Sequence, residues 1–170
     1  MPQKHLLKKF IEAAHIRDAD TVMKIIDDGI DLNATLDGVP LLFLAKEDSG
    51  LFNHMLRKGA DTETIFSPYS QERALHYFAR RRSSESWLTS LITHGVDLEA
   101  KDVDGHSALA IAVITGLESI YTLLIDAGAD INAQDNGGWT VLNLVLGRDQ
   151  KACALLLEKG ALTKDEIERR

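Results

Sequence analysis

Apolar residues along this chain recur at spacings of three and four in short bursts, and each burst closes on a glycine. In one burst Leu117, Ile120, Tyr121, Leu124 and Ile125 share one face of a helix that stops before Gly128. Just upstream, Ser107-Ala108-Leu109-Ala110-Ile111-Ala112-Val113 opens a companion helix that ends near Thr115-Gly116. Gly29, Gly59, Gly95, Gly128 and Gly160 hold equivalent places, at spacings of 30, 36, 33 and 32 residues. Glycine there suits a helix that ends in the left-handed conformation. Near-copies of one polar phrase follow the first four: Ile30-Asp31-Leu32-Asn33-Ala34, Ala60-Asp61-Thr62-Glu63, Val96-Asp97-Leu98-Glu99-Ala100 and Ala129-Asp130-Ile131-Asn132-Ala133. The pattern predicts a tandem array of two-helix units joined by Asp- and Gly-rich turns. Helices of about eight to ten residues are marginal alone in water, so each must bury its apolar face on neighbours.

One such unit runs from Gly95 through Asp102-Val103-Asp104-Gly105-His106-Ser107-Ala108-Leu109 to Gly128, and resembles a complete ankyrin repeat. The next, with Asp135-Asn136-Gly137-Gly138-Trp139-Thr140-Val141-Leu142 and Leu155-Leu156-Leu157-Glu158-Lys159-Gly160-Ala161, resembles another. The resemblance implies an all-α ankyrin-repeat solenoid of helix-turn-helix units with projecting hairpin loops. It is expected to form one domain over residues 1–170, in units near 3–34, 35–65, 66–100, 101–133 and 134–162. A short C-terminal helical cap should follow, opened by a capping box of Thr163 with Glu166.

The departures from the family pattern cluster in the middle. Thr140 and Ser107 supply hydroxyl caps to first helices, whereas Val39 stands at that place in the second unit, before Pro40. Only His76 keeps the histidine of the family's Thr-Pro-Leu-His opening, with Leu42, Ala110 and Asn143 at the other places. A missing cap costs about 1 kcal/mol, so the second and third units should be softer, with faster amide exchange over 40–58 than over 107–127. The third unit also carries a longer projecting turn, 62–72, which includes Phe66, Pro68 and Tyr69. These aromatics either form a partner-contacting finger or fold back over the shortened second unit.

Charge and chemistry narrow the function. The chain has 19 Lys and Arg against 26 Asp and Glu, a net −7 that disfavours a broad phosphate-binding face. Arg80-Arg81-Arg82 follows the first helix of the third unit and reads either as a site for an anionic partner or, more simply, as a solvated helix end where cations are favoured by the helix dipole. The single cysteine, Cys153, aligns with packed helix positions, and Trp87 reads as core. The six histidines lack ligand spacing, and no nucleophile elbow or phosphate loop is present. No catalytic residue, cofactor or metal is therefore expected, and no membrane or nucleic-acid partner. The charged N-terminal segment does not resemble a secretory signal, which makes the cytoplasm the expected location.

What remains is a surface. The resemblance implies a concave face made by the projecting turns and the exposed side of the first helices. On this chain it maps to Asp37, Phe66, Tyr69, Tyr77, Val103, Asp104, His106, Ile111, Ile114, Asn136 and Trp139. Apolar centres with acidic neighbours suit another protein, one with a basic surface or segment, bound by a monomeric interaction module. Two alternatives stay open: a dedicated inhibitor or immunity-type protein that occludes an enzyme, and a secreted effector acting on host proteins.

Overall fold

The computed structural model describes residues 3–16, 18–36 and 38–169. Its architecture is all-α apart from two short hairpins, and it divides into two compact units, residues 1–64 and 65–170.

The first unit holds α1 (Gln3–His15), α2 (Ala19–Asp27), α3 (Leu41–Leu44) and α4 (Ser49–Arg57). The hairpin of β1 (Thr35–Leu36) and β2 (Val39–Pro40) precedes α3. α2 packs between α1 and α4, and its Val22, Ile25 and Ile26 join Phe10, Phe52 and Met55 in the core. Asp18 and Asp48 cap α2 and α4, accepting from the backbone N–H groups of Thr21 (3.1 Å) and Leu51 (2.9 Å). α3 has no side-chain cap. Its cap position is Pro40, two residues after the left-handed Gly38, so the expected cap site at Val39 moves by one. The position of Ser107 and Thr140 is thus held here by a residue that has no side-chain acceptor.

The second unit comprises β3 (Ile65–Ser67), β4 (Glu72–Arg73), α5 (Ala74–Ala79), α6 (Glu85–Thr93), α7 (Ala108–Ile114), α8 (Glu118–Asp126), α9 (Val141–Val145), α10 (Gln150–Glu158) and α11 (Lys164–Glu168). The first helices form one layer, α5 on α7 on α9, and α6 lies against α8 behind them. Leu75, Phe78, Leu88, Leu91, Leu109, Ile120, Tyr121, Leu124, Leu142 and Leu156 fill the space between the layers. The C-terminal capping box forms as its spacing implies, with Glu166 Oε2 accepting from the Thr163 N–H at 2.7 Å.

Second helices are all nine residues long, whereas first helices range from four to thirteen. The uniform stop comes from the five glycines, all left-handed with φ between 76° and 96°. Around each, two backbone bonds close the helix end. At Gly128 they run from Gly128 N–H to Ile125 O and from Ala129 N–H to Leu124 O, both 3.0 Å. The polar phrase that follows has an equally local cause. Asp31, Asp61, Asp97 and Asp130 each accept from the N–H two residues on, at 2.8–3.0 Å, which folds the chain into the same turn four times. The next side chain of the phrase then reaches forward: Asn33 Oδ1 takes the Asp61 N–H (2.9 Å), and Asn132 Oδ1 takes the Leu162 N–H (2.8 Å).

Two side chains read as core are less enclosed. Cys153 is half-buried, with its thiol donating to Val145 O at 3.4 Å. Trp87 is half-buried and stacks on Phe78 with ring centroids 5.5 Å apart.

Candidate protein-interaction surface

Three fingers project ahead of α5, α7 and α9 in the second unit, and an aspartate organises two of them. Asp102 Oδ1 accepts from the N–H groups of Asp104 (3.0 Å) and His106 (2.8 Å). Asp135 Oδ1 repeats this with Gly137 (2.8 Å) and Trp139 (2.9 Å). Each carboxylate therefore spends one oxygen on its own turn and keeps Oδ2 available. The third finger, 65–73, is the β3–β4 hairpin with a register shift between Ile65 and Ser67. There Gln71 adopts φ 56°, where the other fingers use Gly105 and Gly138.

The fingers are tied tip to tip. The Val103 N–H donates to Ser70 O (2.9 Å), and the Asn136 N–H donates to Asp104 O (3.1 Å) while its carboxamide donates to Val103 O (3.0 Å). Asn136 can sit there because Gly105 has no side chain: a Cβ on Gly105 would lie 2.5 Å from Asn136 N. His106 stands between the two finger aspartates, with Nδ1 3.6 Å from Asp102 Oδ2 and Nε2 3.7 Å from Asp135 Oδ2. The row is thus a fixed surface rather than a set of independent loops.

His76 anchors the row from beneath. It is fully buried, its Nδ1 accepts from the Arg73 N–H (3.2 Å), and its Nε2 faces Ala100 O at 2.9 Å. An acceptor at Nδ1 and a carbonyl at Nε2 together require the neutral tautomer protonated on Nε2. Burial pushes its pKa down, which favours the same neutral form. In the next repeat but one, Asn143 Oδ1 takes this role, accepting from the N–H groups of Thr140 (3.2 Å) and Lys164 (2.8 Å).

The residues expected at the interface divide by environment. Tyr69, Val103 and Trp139 are 96%, 53% and 50% exposed on the fingers, and Asp104 and Asn136 are exposed beside them. The Trp139 indole lies against the tip of its own finger, because a Cβ on Gly137 would fall 2.8 Å from its Cδ1. His106 is half-buried in the same row. Ile114 is exposed at the end of α7, and Tyr77 is half-buried on α5. Phe66 and Ile111 differ from the expected contact role, since both are buried. Phe66 turns inward to meet Tyr77 and Phe78 edge-on, at 5.7 and 6.4 Å, because the finger lies directly over α5. Phe66 thus turns inward onto α5 of its own repeat, an arrangement neither open reading of the finger described, and Tyr69 stays outward. Asp37 lies outside the described residues.

Two of the three arginines in the run are engaged locally. Arg80 pairs with Glu72, and the Arg81 guanidinium sits 4.0 Å over the Tyr77 ring. Sequence reasoning missed Lys164, whose ammonium donates to Gly137 O at 2.9 Å. Asp102 and Asp135 lie in the Asp- and Gly-rich turns expected there, each carboxylate accepting from two N–H groups of its own finger.

Two-helix hairpins stacked in layers, with fingers leading α3, α5, α7 and α9, define a repeat-built scaffold. The family model for ankyrin repeats, in three copies, matches residues 41–135, so the chain belongs to the ankyrin-repeat family. Comparison with curated proteins gives no match. Ankyrin repeats are general protein–protein interaction modules and are typically non-catalytic. Among the described residues no helix is long and apolar enough to cross a membrane.

Proposed function

We propose that this chain is a non-catalytic binding module that engages another protein through the finger row of residues 65–140, with the half-buried Tyr77 of α5 and the exposed Ile114 of α7 beside it. The observation that carries this reading is the row of large apolar side chains, Tyr69, Val103 and Trp139, held in water on a hydrogen-bonded frame. Exposed aromatics on rigid backbone lose little entropy on binding and form the anchors of many interfaces. Asp104, Asn136 and His106 between them supply the polar part of such a patch.

A photo-crosslinking amino acid placed singly at 69, 103 and 139, in cells of the source organism, tests the reading. Control sites on the second-helix side, at Glu118 and Leu157, are exposed as well. The expected result is one partner captured from the finger sites and absent from the controls. Capture from the controls alone would place the interface elsewhere and overturn the proposal.

A further inference from the structure

The geometry points to the chemistry of that partner: an extended segment with an apolar side chain at every third residue and lysine or arginine between, lying along the finger row. This inference rests on the finger row being the binding surface, and it adds the shape and charge of what binds there.

The shape follows from the pitch of the row. Each finger precedes a first helix, and packed helices sit roughly 10 Å apart. An extended chain in the polyproline II form rises about 3.1 Å per residue with three residues per turn, so one finger interval spans about three residues and every third side chain faces the row. Tyr69 and Val103 hold equivalent places, four residues before the caps Arg73 and Ser107, and the Trp139 indole reaches the tip of the third finger by lying back over Gly137. A helix advancing ~1.5 Å per residue would need about seven residues for each interval, twice the contour for the same contacts. The tip-to-tip bonds from Val103 to Ser70 and from Asn136 to Asp104 hold this spacing, so a ligand of matched period finds its sites already arranged.

The charge follows from how the ions around the row are used. Among the described residues, the cations nearest the row are held by groups other than its aspartates: Arg80 pairs with Glu72, and Arg81, Lys101 and Lys164 keep their charge but are fixed against the Tyr77 ring, Gln134 O and Gly137 O. The aspartates of the row have no ion-pair partner of that kind. Asp104 is exposed, and among the described residues no lysine or arginine pairs with it. Among the described residues, the second oxygens of Asp102 and Asp135 have His106 as their nearest charged-group partner. Uncompensated carboxylates between apolar tips favour cationic side chains on the ligand at the intervening positions.

A synthetic heptapeptide tests this, with leucine at its first, fourth and seventh places and lysine or arginine elsewhere. Binding to the full chain is read from Trp139 fluorescence in a Trp87→Phe background. The patterned peptide is expected to bind about 10-fold tighter than an isomer with its leucines adjacent, and about 10-fold tighter than a version with glutamine for every basic residue. Tyr69→Ala and Asp104→Asn, both at exposed positions, should each weaken it at least ~3-fold with the far-UV spectrum unchanged. Equal binding of the patterned and rearranged peptides would refute the period, and equal binding of the glutamine version would refute the charge. If crosslinks map to the fingers while no heptapeptide binds, the surface stands and the extended ligand fails. If crosslinks map elsewhere, the surface itself fails.

Discussion

The two compact units of this molecule are built from one repeat, yet they hold it together differently. In residues 65–140 the first helices α7 and α9 begin at Ser107 and Thr140, whose hydroxyls accept from the N–H three residues on, and α5 is closed by His76. Three fingers there are bonded to one another through backbone and carboxamide groups. In residues 1–64 the single two-stranded finger leads into a four-residue helix capped by proline. What binds the first unit together is the packing of α2 between α1 and α4, with aspartate caps on α2 and α4. The difference teaches that the second helix is the repeat's constant part, set by local rules. The first helix and its finger depend on a few side chains that can be lost one at a time.

Removing the anchor of the better-tied unit should have the largest effect. His76→Ala deletes two buried hydrogen bonds and leaves a cavity, and is expected to cost about 3 kcal/mol in residues 65–170. His76→Asn, which copies Asn143, should recover part of that loss. Urea unfolding followed by fluorescence reads this unit selectively, because both tryptophans, Trp87 and Trp139, lie within it.

Acid should act on the same residue. Folded His76 has its pKa below the ordinary 6.5, so between that folded value and 6.5 the unfolded chain binds more protons. The stability it contributes is complete above pH 6.5 and is lost as pH falls through that window. In the first unit, the hydrogen bond from Lys58 holds the Asp27 carboxyl below its ordinary 3.8, so that contribution is lost only in stronger acid. Between about pH 6.5 and 4, acidification should therefore weaken the second unit selectively. His76→Ala should flatten this dependence, and an unchanged profile in the variant would assign it to another group.

Smaller changes should sharpen the comparison from the other side. Gln71 occupies the left-handed region where sister fingers have glycine, so Gln71→Gly should stabilise the finger by up to about 1 kcal/mol. Pro40→Ser places a hydroxyl at the uncapped start of α3, at φ −64° and ψ 144°, close to the geometry of Ser107. The cap gain is offset by the lost stiffness of proline, which leaves a net of about 0.5 kcal/mol. Amide exchange in the parent chain should be faster in α4 than in α8, and Pro40→Ser should narrow the gap. Exchange faster in α8 would reverse the ranking of the two units.

Much of the fold was legible because its causes are short-range. The five glycines stop five helices, and the aspartate after four of them folds the same turn each time. The candidate surface was legible only in outline. Tyr69, Val103, Asp104, Asn136 and Trp139 are exposed on the fingers, but Phe66 and Ile111 are buried and Tyr77 is half covered. Phe66 and Tyr69 stand three residues apart in one finger with similar hydrophobicity. Nothing in their local sequence says which one faces α5.

The sequence by itself determined the number and kind of elements, where the second helices end, and the turn after each, since all of these are settled within five or six residues of chain. The tertiary structure alone decided which finger side chains reach water, which cations are fixed against groups of the protein, and that His76 is a neutral strut. Each of these depends on a neighbour beyond the reach of local turns: Ala100 for His76, Gln134 for Lys101, and Tyr77 and Phe78 on the following helix for Phe66. Those neighbours come into reach only when the helices have stacked, and burial and pairing energies exist only between groups that meet.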